Sequence, residues 1–523
     1  MWFRQDLRLR DNPALCAAAQ GDGTVLPVYI LDDENAGDWK MGAASRWWLH
    51  CSLERLNESL DGRLRVLHGD AHGELLKLCA ALPVGRVVWN RCYEPWRLRR
   101  DNRIVEALHE RGIESGEFNG SLLWDPRESC KADGSPYLVF TPFYRKLSRY
   151  WPSGTLTPAP DLHGLNLAEC DQPANRIDRL ELLPTVHWYG GLEETWQPGE
   201  AGAHERLEAF VDKAVADYHE RRDFPADAAV SALSPHLHFG EISPLRIWQA
   251  VQDGNAGGGG GRGDGGDGGD RVHDGDIVHR ADGIQGGDSG SGGSRGPGGG
   301  GGPDVDSAPG GDGARAWVRQ LYWREFSYHL LYHYPTLCDE NLKPGFDHFP
   351  WRDDPELLRR WQQGATGIPF VDAGMRELWT TGTMHNRLRM VTASFLTKNL
   401  LIHWLHGARW FWDCLVDADL ANNSFGWQWV AGCGADAAPY FRVFNPVLQS
   451  RKFDPSGTYL RRWLPELAGL SDRRIHAPWE VAARELRSAG VTLGTTYPAP
   501  IVDLRASRER ALAAWRTVRG SPG

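Results

Sequence analysis

The stretch of residues 383–429 constrains the fold of this chain most, because it combines a helical apolar pattern with an unusual set of polar groups. It reads TMHNRLRMVTASFLTKNLLIHWLHGARWFWDCLVDADLANNSFGWQW. Asn386, Arg389 and Met390 stand at positions i, i+3 and i+4, so they lie on one face of a helix. One helix therefore offers an amide, a guanidinium and a thioether to a single cavity.

The second half of this stretch is first polar and then aromatic. Asp417, Asp419 and Asn423 precede the GWQW segment, in which Gln428 adds a carboxamide beside large flat rings. Such a set suits a planar ring system that forms hydrogen bonds. Taken alone, the stretch fits equally well a tryptophan-rich helical core with a salt-bridged loop.

Length and composition limit the class of protein. The 523 residues leave room for two or three domains. No apolar run is long enough to span a bilayer, and the nine cysteines form no C-x-x-C pair. We therefore expect a soluble, cytoplasmic protein with free thiols, no metal site and no membrane partner.

Residues 254–313 are nearly half glycine and almost free of apolar side chains, so they cannot offset the entropy cost of folding and are predicted to be disordered. The segment holds ten Asp against four Arg and thus most of the net charge of −10. A nucleic-acid partner needs only a local basic face, so the acidic total does not exclude one. We interpret the segment as a tolerated insertion without function; the alternative is an acidic loop that weakly repels phosphates.

Three regions follow from the patterns along the chain. Residues 1–125 alternate short β-branched runs with amphipathic segments, which predicts a Rossmann-like α/β domain with a parallel sheet. Residues 126–200 are rich in Pro and Gly and are predicted to be an interdomain connector. Helical patterns dominate residues 201–515, apart from the 254–313 insertion.

Several motifs resemble the cryptochrome/photolyase family, flavoproteins that hold FAD in a helical domain. They are FTPFY, YHERRDFP, SALSPHLHFGEISP, WVRQLYWREFSYHLLYHYP, HNRLRM, DADLANN and GWQW, in this order. Agreement of several long motifs is far more specific than one short match. The likeness runs from the first residues to about Trp515 and is strongest to cyclobutane pyrimidine dimer photolyases of bacteria.

The resemblance implies a set of FAD contacts. Asn423 would lie at the flavin N5 atom, with Arg389 paired to Asp417 near the ring. Val230 and Ala232 stand where Thr and Arg are usual, so some phosphate contacts are expected to be lost. The full set is Tyr218, Val230, Ser231, Ala232, Leu233, Ser234, Trp317, Gln320, Arg324, Arg389, Asp417, Asp419 and Asn423.

A second set would contact the lesion and the DNA, with Gln320, Asn386 and Asn423 as catalytic residues. Gln320 stands where dimer photolyases usually have Glu, and an amide cannot supply a proton, so repair is expected to be reduced but not absent. Asn386 and Met390 stand where photolyases of the (6-4) photoproduct have His, which favours simple ring splitting. The DNA-binding set is Arg222, Trp323, Asn386, Arg387, Met390, Trp429 and Gln449.

The resemblance also implies an electron-transfer chain of Trp427, Trp404 and Trp351. With 24 tryptophans in the chain, core packing is the alternative for each of them. The N-terminal domain resembles the antenna domain of the family, which holds a second chromophore. Folate, deazaflavin and flavin all stay open, as does a purely structural domain.

The sequence thus predicts a monomeric FAD protein that repairs pyrimidine dimers in damaged DNA under blue light, a carbon-carbon lyase. The alternative is a cryptochrome, a light sensor that binds FAD without repair. Asn423 and the pair Asn386 and Met390 favour the enzyme, whereas Gln320 favours the sensor. A folded but inactive relative is a third possibility.

Overall fold

A computed structural model describes residues 1–20, 23–150, 156–160, 166–168, 177–256, 311–437 and 441–519. The strands are β1 (Trp2–Phe3), β2 (Val28–Leu31), β3 (Arg65–His68), β4 (Arg86–Asn90) and β5 (Glu114–Phe118). The α-helices are α1 (Pro13–Ala19), α2 (Ala43–Ser59), α3 (Ala71–Ala81), α4 (Pro95–His109), α5 (Phe140–Leu147), α6 (Gly190–Thr195), α7 (Glu200–Lys213), α8 (Tyr218–Arg221), α9 (Ser234–His238), α10 (Pro244–Ala256), α11 (Asp312–His333), α12 (Pro355–Gln362), α13 (Pro369–Thr381), α14 (Asn386–Ser394), α15 (Trp404–Cys414), α16 (Leu420–Ala431), α17 (Pro446–Phe453), α18 (Thr458–Trp463), α19 (Ala483–Ser488) and α20 (Leu504–Arg519). A π-helix, Phe395–Asn399, follows α14, and 3₁₀ helices span Gly37–Trp39, Asp178–Leu180, Pro344–His348, Pro465–Leu467 and Pro478–Glu480.

The N-terminal region is an α/β domain, as predicted. Its strands pair in parallel in the order β1-β2-β3, and β4 pairs in parallel with β5. Parallel neighbours require crossover connections, which the helices α1 to α4 provide. Strand β1 contributes only two residues, Trp2 and Phe3, to the pairing with β2.

The helical region from α7 onward packs around one large apolar core. Two of its helices end at glycines in the left-handed region, where other residues are strained: Gly382 after α13 has φ 67° and Gly432 after α16 has φ 100°. These stops place the segments 383–385 and 434–437 at the wall of a large cavity. Within the described ranges, no helix is long and apolar enough to cross a membrane.

The predicted insertion boundaries need correction. Helix α10 continues to Ala256 and α11 begins at Asp312, so both ends of the 254–313 segment are helical. The remainder of that segment lies outside the described residues. The predicted connector at 126–200 contains short helices, α5 and α6, because FTPFYRKL and GGLEET each bury apolar side chains.

Buried polar contacts join the N-terminal domain to the helical region. The Glu325 carboxylate of α11 accepts hydrogen bonds from the backbone N–H groups of Leu123 (3.1 Å) and Trp124 (3.2 Å). Trp48 Nε1 of α2 donates to Glu241 Oε1 at 3.0 Å. A buried carboxylate needs such donors, so these contacts fix the relative position of the two regions.

Candidate functional site

The helical region encloses a cavity of about 1170 Å³. All thirteen residues predicted as FAD contacts line it. They come from the loop at 230–234 and from α8, α11, α14, α16 and the turn before α16. Residues far apart in the sequence therefore meet at one site, whose volume exceeds the ~300–1,000 Å³ of typical small-molecule pockets.

The predicted ion pair between Arg389 and Asp417 is present at the cavity wall. Arg389 Nη2 lies 3.0 Å from Asp417 Oδ1 and 2.9 Å from Oδ2. Arg389 Nε donates to the Met384 carbonyl at 2.7 Å, which fixes the plane of the guanidinium. The Arg389 side chain is 27% exposed, whereas that of Asp417 is 5% exposed. The guanidinium thus keeps a face toward the cavity.

Asn423 is oriented by a contact between α15 and α16. Its Nδ2 donates to the Ala408 carbonyl at 3.0 Å. Its carbonyl oxygen has no hydrogen-bond partner in the part of the chain that the structure describes, and the residue lines the cavity. Asn423 can therefore accept a hydrogen bond from a bound ring that carries an N–H group.

Asp419 is held by protein donors. It caps α16 by accepting from the Asn422 N–H at 2.8 Å, and Tyr328 donates its hydroxyl to the same carboxylate. Burial alone would raise the pKa of Asp419. Hydrogen bonds and charges from His238, Tyr328 and Arg324 outweigh it, so the pKa lies well below its ordinary value. Asp419 is therefore a fixed anion at the cavity wall. Its side chain acts mainly as the N-cap of α16.

The loop at 230–234 lines one end of the cavity. Ala232 has φ 50°, a left-handed conformation that costs a residue with a Cβ atom about 1–2 kcal/mol. Val230 is exposed, and neither Val230 nor Ala232 has a polar side-chain atom that could bind a phosphate. The backbone and the hydroxyls of Ser231 and Ser234 are what this loop offers to a phosphate.

The predicted lesion contacts Gln320, Asn386 and Met390 lie at the same cavity. Gln320 Nε2 donates one of its two hydrogens to the Ala316 carbonyl of its own helix at 3.1 Å, which leaves the second N–H and the carbonyl oxygen. Asn386 Nδ2 lies 3.9 Å from the sulfur of Met390. Gln320 thus presents a carbonyl acceptor and one amide N–H to a substrate, but no acidic proton.

The predicted roles of one aromatic ring, Trp323, and of one amide, Gln428, change in the structure. Trp323 lines the cavity, but its ring stacks on Phe140 with centroids 3.5 Å apart, so that face is not open to a base. The Gln428 amide, expected beside the ring system, bonds to the backbone: Nε2 donates to Leu337 O and Glu340 O, both at 2.7 Å. Trp429 lines the cavity and donates to the Asp436 carbonyl at 3.1 Å.

The predicted DNA-phosphate contacts divide into two groups. Arg222 lines the cavity, whereas Arg387 and Gln449 do not. Arg387 pairs with Asp223 at 2.7 Å, is 9% exposed and lies over the Phe453 ring. A carboxylate already neutralises Arg387, so it is less available to a phosphate than an exposed arginine would be.

The three tryptophans of the predicted electron chain lie at different depths. Trp427 is buried and lines the cavity, Trp404 is fully buried, and Trp351 is partly exposed. Trp404 Nε1 donates to Asn341 Oδ1 at 2.8 Å, and Trp351 Nε1 donates to the Phe346 carbonyl at 3.3 Å. Trp427 thus lies at the cavity and Trp351 is the most exposed of the three, and the electron chain stays a prediction.

The sequence reasoning did not identify Glu377, Tyr328 and His238. Glu377 lines the cavity and accepts from the Tyr459 hydroxyl at 2.6 Å, and burial raises its pKa. Glu377 lies on α13, nine residues before Asn386, so helical spacing does not link the two. Tyr328 stands at i+4 from Arg324 on α11, and that spacing was an available signal.

A second cleft, the N-terminal cleft, measures about 60 Å³ and lies where the N-terminal domain meets His238, Phe239, Trp412, Ala418 and Leu420 of the helical region. Trp2, Arg4, Asp32, Trp96 and Arg100 are among its lining residues. Such a volume is well below the ~300 Å³ at which small-molecule pockets begin. As these side chains are arranged, this cleft is too small for a folate, a deazaflavin or a flavin, the antenna chromophores that the sequence leaves open.

Comparison with known proteins gives the family. The family model described as "DNA photolyase" matches residues 1–161, and that described as "FAD binding domain of DNA photolyase" matches residues 317–517. A deoxyribodipyrimidine photo-lyase of Agrobacterium fabrum is 42% identical over 99% of this chain and 98% of its own length. The chain belongs to the DNA photolyase family. Both the predicted family and the predicted FAD cofactor are thereby confirmed.

Photolyases and cryptochromes both resemble the chain. The crystal structure of a bacterial class III photolyase from Agrobacterium tumefaciens has a TM-score of 0.84 at 41% identity, covering 99% of this chain and 97% of that one. Cryptochrome-2 of Arabidopsis thaliana is 34% identical over 97% of this chain and 77% of its own length. The predicted fold class, an α/β domain followed by a helical FAD-binding domain, is confirmed.

The large cavity fits the FAD of this photolyase family. The unpartnered carbonyl of Asn423 and the fixed guanidinium of Arg389 suit the polar edge of a flavin ring. The hydroxyl-bearing loop at 230–234 suits a diphosphate. These groups lie on separate segments of the chain, and the fold brings them together at the wall of one cavity.

Proposed function

We propose that this chain is a deoxyribodipyrimidine photo-lyase that splits cyclobutane pyrimidine dimers in DNA under blue light. The observation that carries the proposal is the meeting of two groups of residues at one cavity. Asn423 and the Arg389–Asp417 pair form its inner wall, and Asn386 and Met390 lie on the same helix face as Arg389. A flavin and a nucleobase pair would therefore lie side by side.

When bound, reduced FAD would supply the light-driven one-electron chemistry that splits the dimer, and the residues of the cavity wall would hold and orient it. Asn423 contributes a hydrogen-bond acceptor whose direction is set by Ala408. Arg389 contributes a positive charge that Asp417 holds in one orientation. Preorganised groups of this kind cost no rearrangement during the reaction.

The lesion side of the cavity is neutral in character. Gln320 offers its carbonyl oxygen, Met390 a polarizable thioether and Asn386 an amide. None of these three is an acid or a base at neutral pH, so the site positions the dimer and moves no proton to it. A damaged base pair stacks poorly, which lowers the cost of moving it out of the duplex to a few kcal/mol.

DNA would approach over the basic residues at the mouth of the cavity. Arg222 and Arg319 both line it, and Arg319 lies over the rings of Phe140 and Tyr144. Each phosphate contact releases counterions, so affinity for DNA should fall as salt concentration rises.

The decisive experiment measures repair of an oligonucleotide with a single thymine dimer by purified, chemically reduced protein. We expect repair under near-UV light and none in the dark. An Asn423→Leu variant should lose repair while a surface variant, Arg505→Ala, keeps it. Stoichiometric FAD binding without light-dependent repair would refute the proposal and would favour a cryptochrome-type sensor.

A further inference from the structure

His403 lies between two tryptophans of the predicted electron chain. Its ring centroid is 5.0 Å from that of Trp351, with an interplanar angle of 74°, and 5.5 Å from that of Trp404, with an angle of 33°. One aromatic side chain is therefore in ring contact with both the partly exposed and the buried member. Sequence spacing gave no sign of this, because Trp351 is far from His403 along the chain.

The position of the His403 ring is fixed by its own helix. His403 is the N-cap of α15, and its Nδ1 accepts a hydrogen bond from the Leu405 N–H at 3.2 Å. Because Nδ1 accepts, the ring proton of the neutral form is on Nε2. The cap thus sets the orientation of the ring and its tautomer together.

The segment that carries Trp351 is tied to the segment that carries His403. The Arg352 N–H donates to the Leu401 carbonyl at 2.7 Å, and Leu401 has φ 57°, a conformation that leucine rarely adopts. Such strain persists where the surrounding structure determines the backbone. The turn before α15 therefore holds the imidazole against the tryptophan on the neighbouring segment.

The inner end of the chain is also closely packed. A Cβ atom on Gly407 would lie 2.1 Å from Trp427 Cη2, so the Trp427 ring lies directly on α15. Gly407 and Trp404 are at i+3 and i, one turn apart on the same face. Helix α15 thus contacts the innermost tryptophan, carries the middle one and begins next to His403.

We propose that the His403 imidazole is the bridging ring through which an electron passes from Trp351 to Trp404. The proposal rests on the proposed flavin function, because the chain has a use only if light-excited FAD withdraws an electron from Trp427. Helix capping explains the Nδ1 contact and adjacency in the chain explains the contact with Trp404, but neither explains the ring contact with Trp351 at 5.0 Å.

Each step moves one electron and no atoms. With oxidised FAD bound and excited, Trp427 would give up one electron, Trp404 would reduce the Trp427 radical cation, and Trp351 would reduce the Trp404 radical cation across His403. An external thiol then restores Trp351 at the surface. Trp351 keeps its indole proton bonded to the Phe346 carbonyl throughout.

The ionisation of His403 agrees with this role. Burial and the charge of His406 together lower its pKa to about 4, against the opposing charge of Asp347. The ring is therefore neutral at neutral pH. A neutral bridge adds no positive charge that would oppose oxidation of either tryptophan.

Two variants separate the bridging ring from the helix cap. His403→Asn keeps a capping acceptor and removes the ring, whereas His403→Phe keeps a ring and removes the acceptor. We expect His403→Asn to slow flavin photoreduction by thiol severalfold at an unchanged Tm. We expect His403→Phe to retain photoreduction close to wild type at a lower Tm.

Time-resolved absorption of the tryptophan radicals supplies the direct readout, and a longer-lived Trp404 radical in His403→Asn is expected. In flavin-free protein, Tm and the NMR titration of the imidazole give readouts that do not depend on the cofactor. Wild-type kinetics in His403→Asn would overturn the proposal. Absent photoreduction in the wild type would overturn the electron chain itself, while repair by chemically reduced protein would still test the proposed function separately.

Discussion

Two clefts among the described residues are both lined by Trp, Arg and Asp side chains but differ about twentyfold in volume, at about 60 Å³ and about 1170 Å³. In the N-terminal cleft, Arg100 pairs with Asp32 at 3.0 Å and with Asp101 at 2.9 Å, and all three side chains are at most 3% exposed. In the helical cavity, Arg389 pairs with a single carboxylate and stays partly exposed. Where the charged side chains are buried and paired with protein partners, the cleft is closed. Where an arginine stays partly exposed, it can still bind a ligand.

The largest effect should come from opening the closed cleft. Asp101 contacts both Arg4 and Arg100, so Asp101→Ala leaves two buried guanidinium groups with fewer partners. We expect the free energy of unfolding to fall by about 3–5 kcal/mol, which is typical when one partner of a buried ion pair is removed. Urea denaturation measures this loss.

The matched control is Glu58→Ala, which breaks the exposed pair with Arg55 and should cost about 0–1 kcal/mol. Equal stabilities of the two variants would show that ion pairing does not hold the N-terminal cleft closed.

The second test concerns the junction between the two regions. Burial raises the pKa of Glu325 to about 7 from an ordinary value of 4.5, against the opposing effects of Arg324 and the N–H groups of Leu123 and Trp124. The native state therefore binds more protons than the unfolded state between these pH values. Stability should fall by up to about 3 kcal/mol as pH rises from about 4.5 to 7.

Glu325→Gln should remove this dependence, since an amide keeps one acceptor for Leu123 and Trp124 and does not titrate. Thermal unfolding across this pH range measures the slope. An unchanged slope in Glu325→Gln would assign the dependence to another group.

The third test addresses the open cavity. Asp417→Asn keeps the shape of the side chain but removes the charge that orients Arg389. We expect flavin binding to weaken by about 1–3 kcal/mol, because a charged hydrogen bond is lost at the wall. Titration of flavin-free protein with FAD gives the change, and Asp38→Asn, which breaks the exposed pair with Arg409, should leave the affinity as it is.

The smallest effect on stability, within about 0.5 kcal/mol, is expected for Gln320→Glu. Gln320 bonds only to its own helix, so the fold does not depend on it. The new carboxyl group adds a proton donor at the lesion side, and the quantum yield of repair should rise. An unchanged yield would show that position 320 acts through geometry alone.

Much of this protein follows from its sequence. Spacings of three and four residues put Asn386, Arg389 and Met390 on one helix face, because a helix has a fixed period. The alternation of strands and helices determined the parallel α/β domain, and the long motifs determined the family and its FAD. These features depend on residues that are close in the chain or on whole motifs.

Only the tertiary structure decided which way each site group points. The Asn423 carbonyl faces the cavity because its amide finds Ala408 on another helix. Phe140 covers one face of Trp323, Asp223 neutralises Arg387, and His403 lies between two tryptophans. Sequence period fixes the face of a helix on which a side chain lies. It does not fix which distant segment lies over that face, and hydrogen bonds and ring contacts form only with that segment.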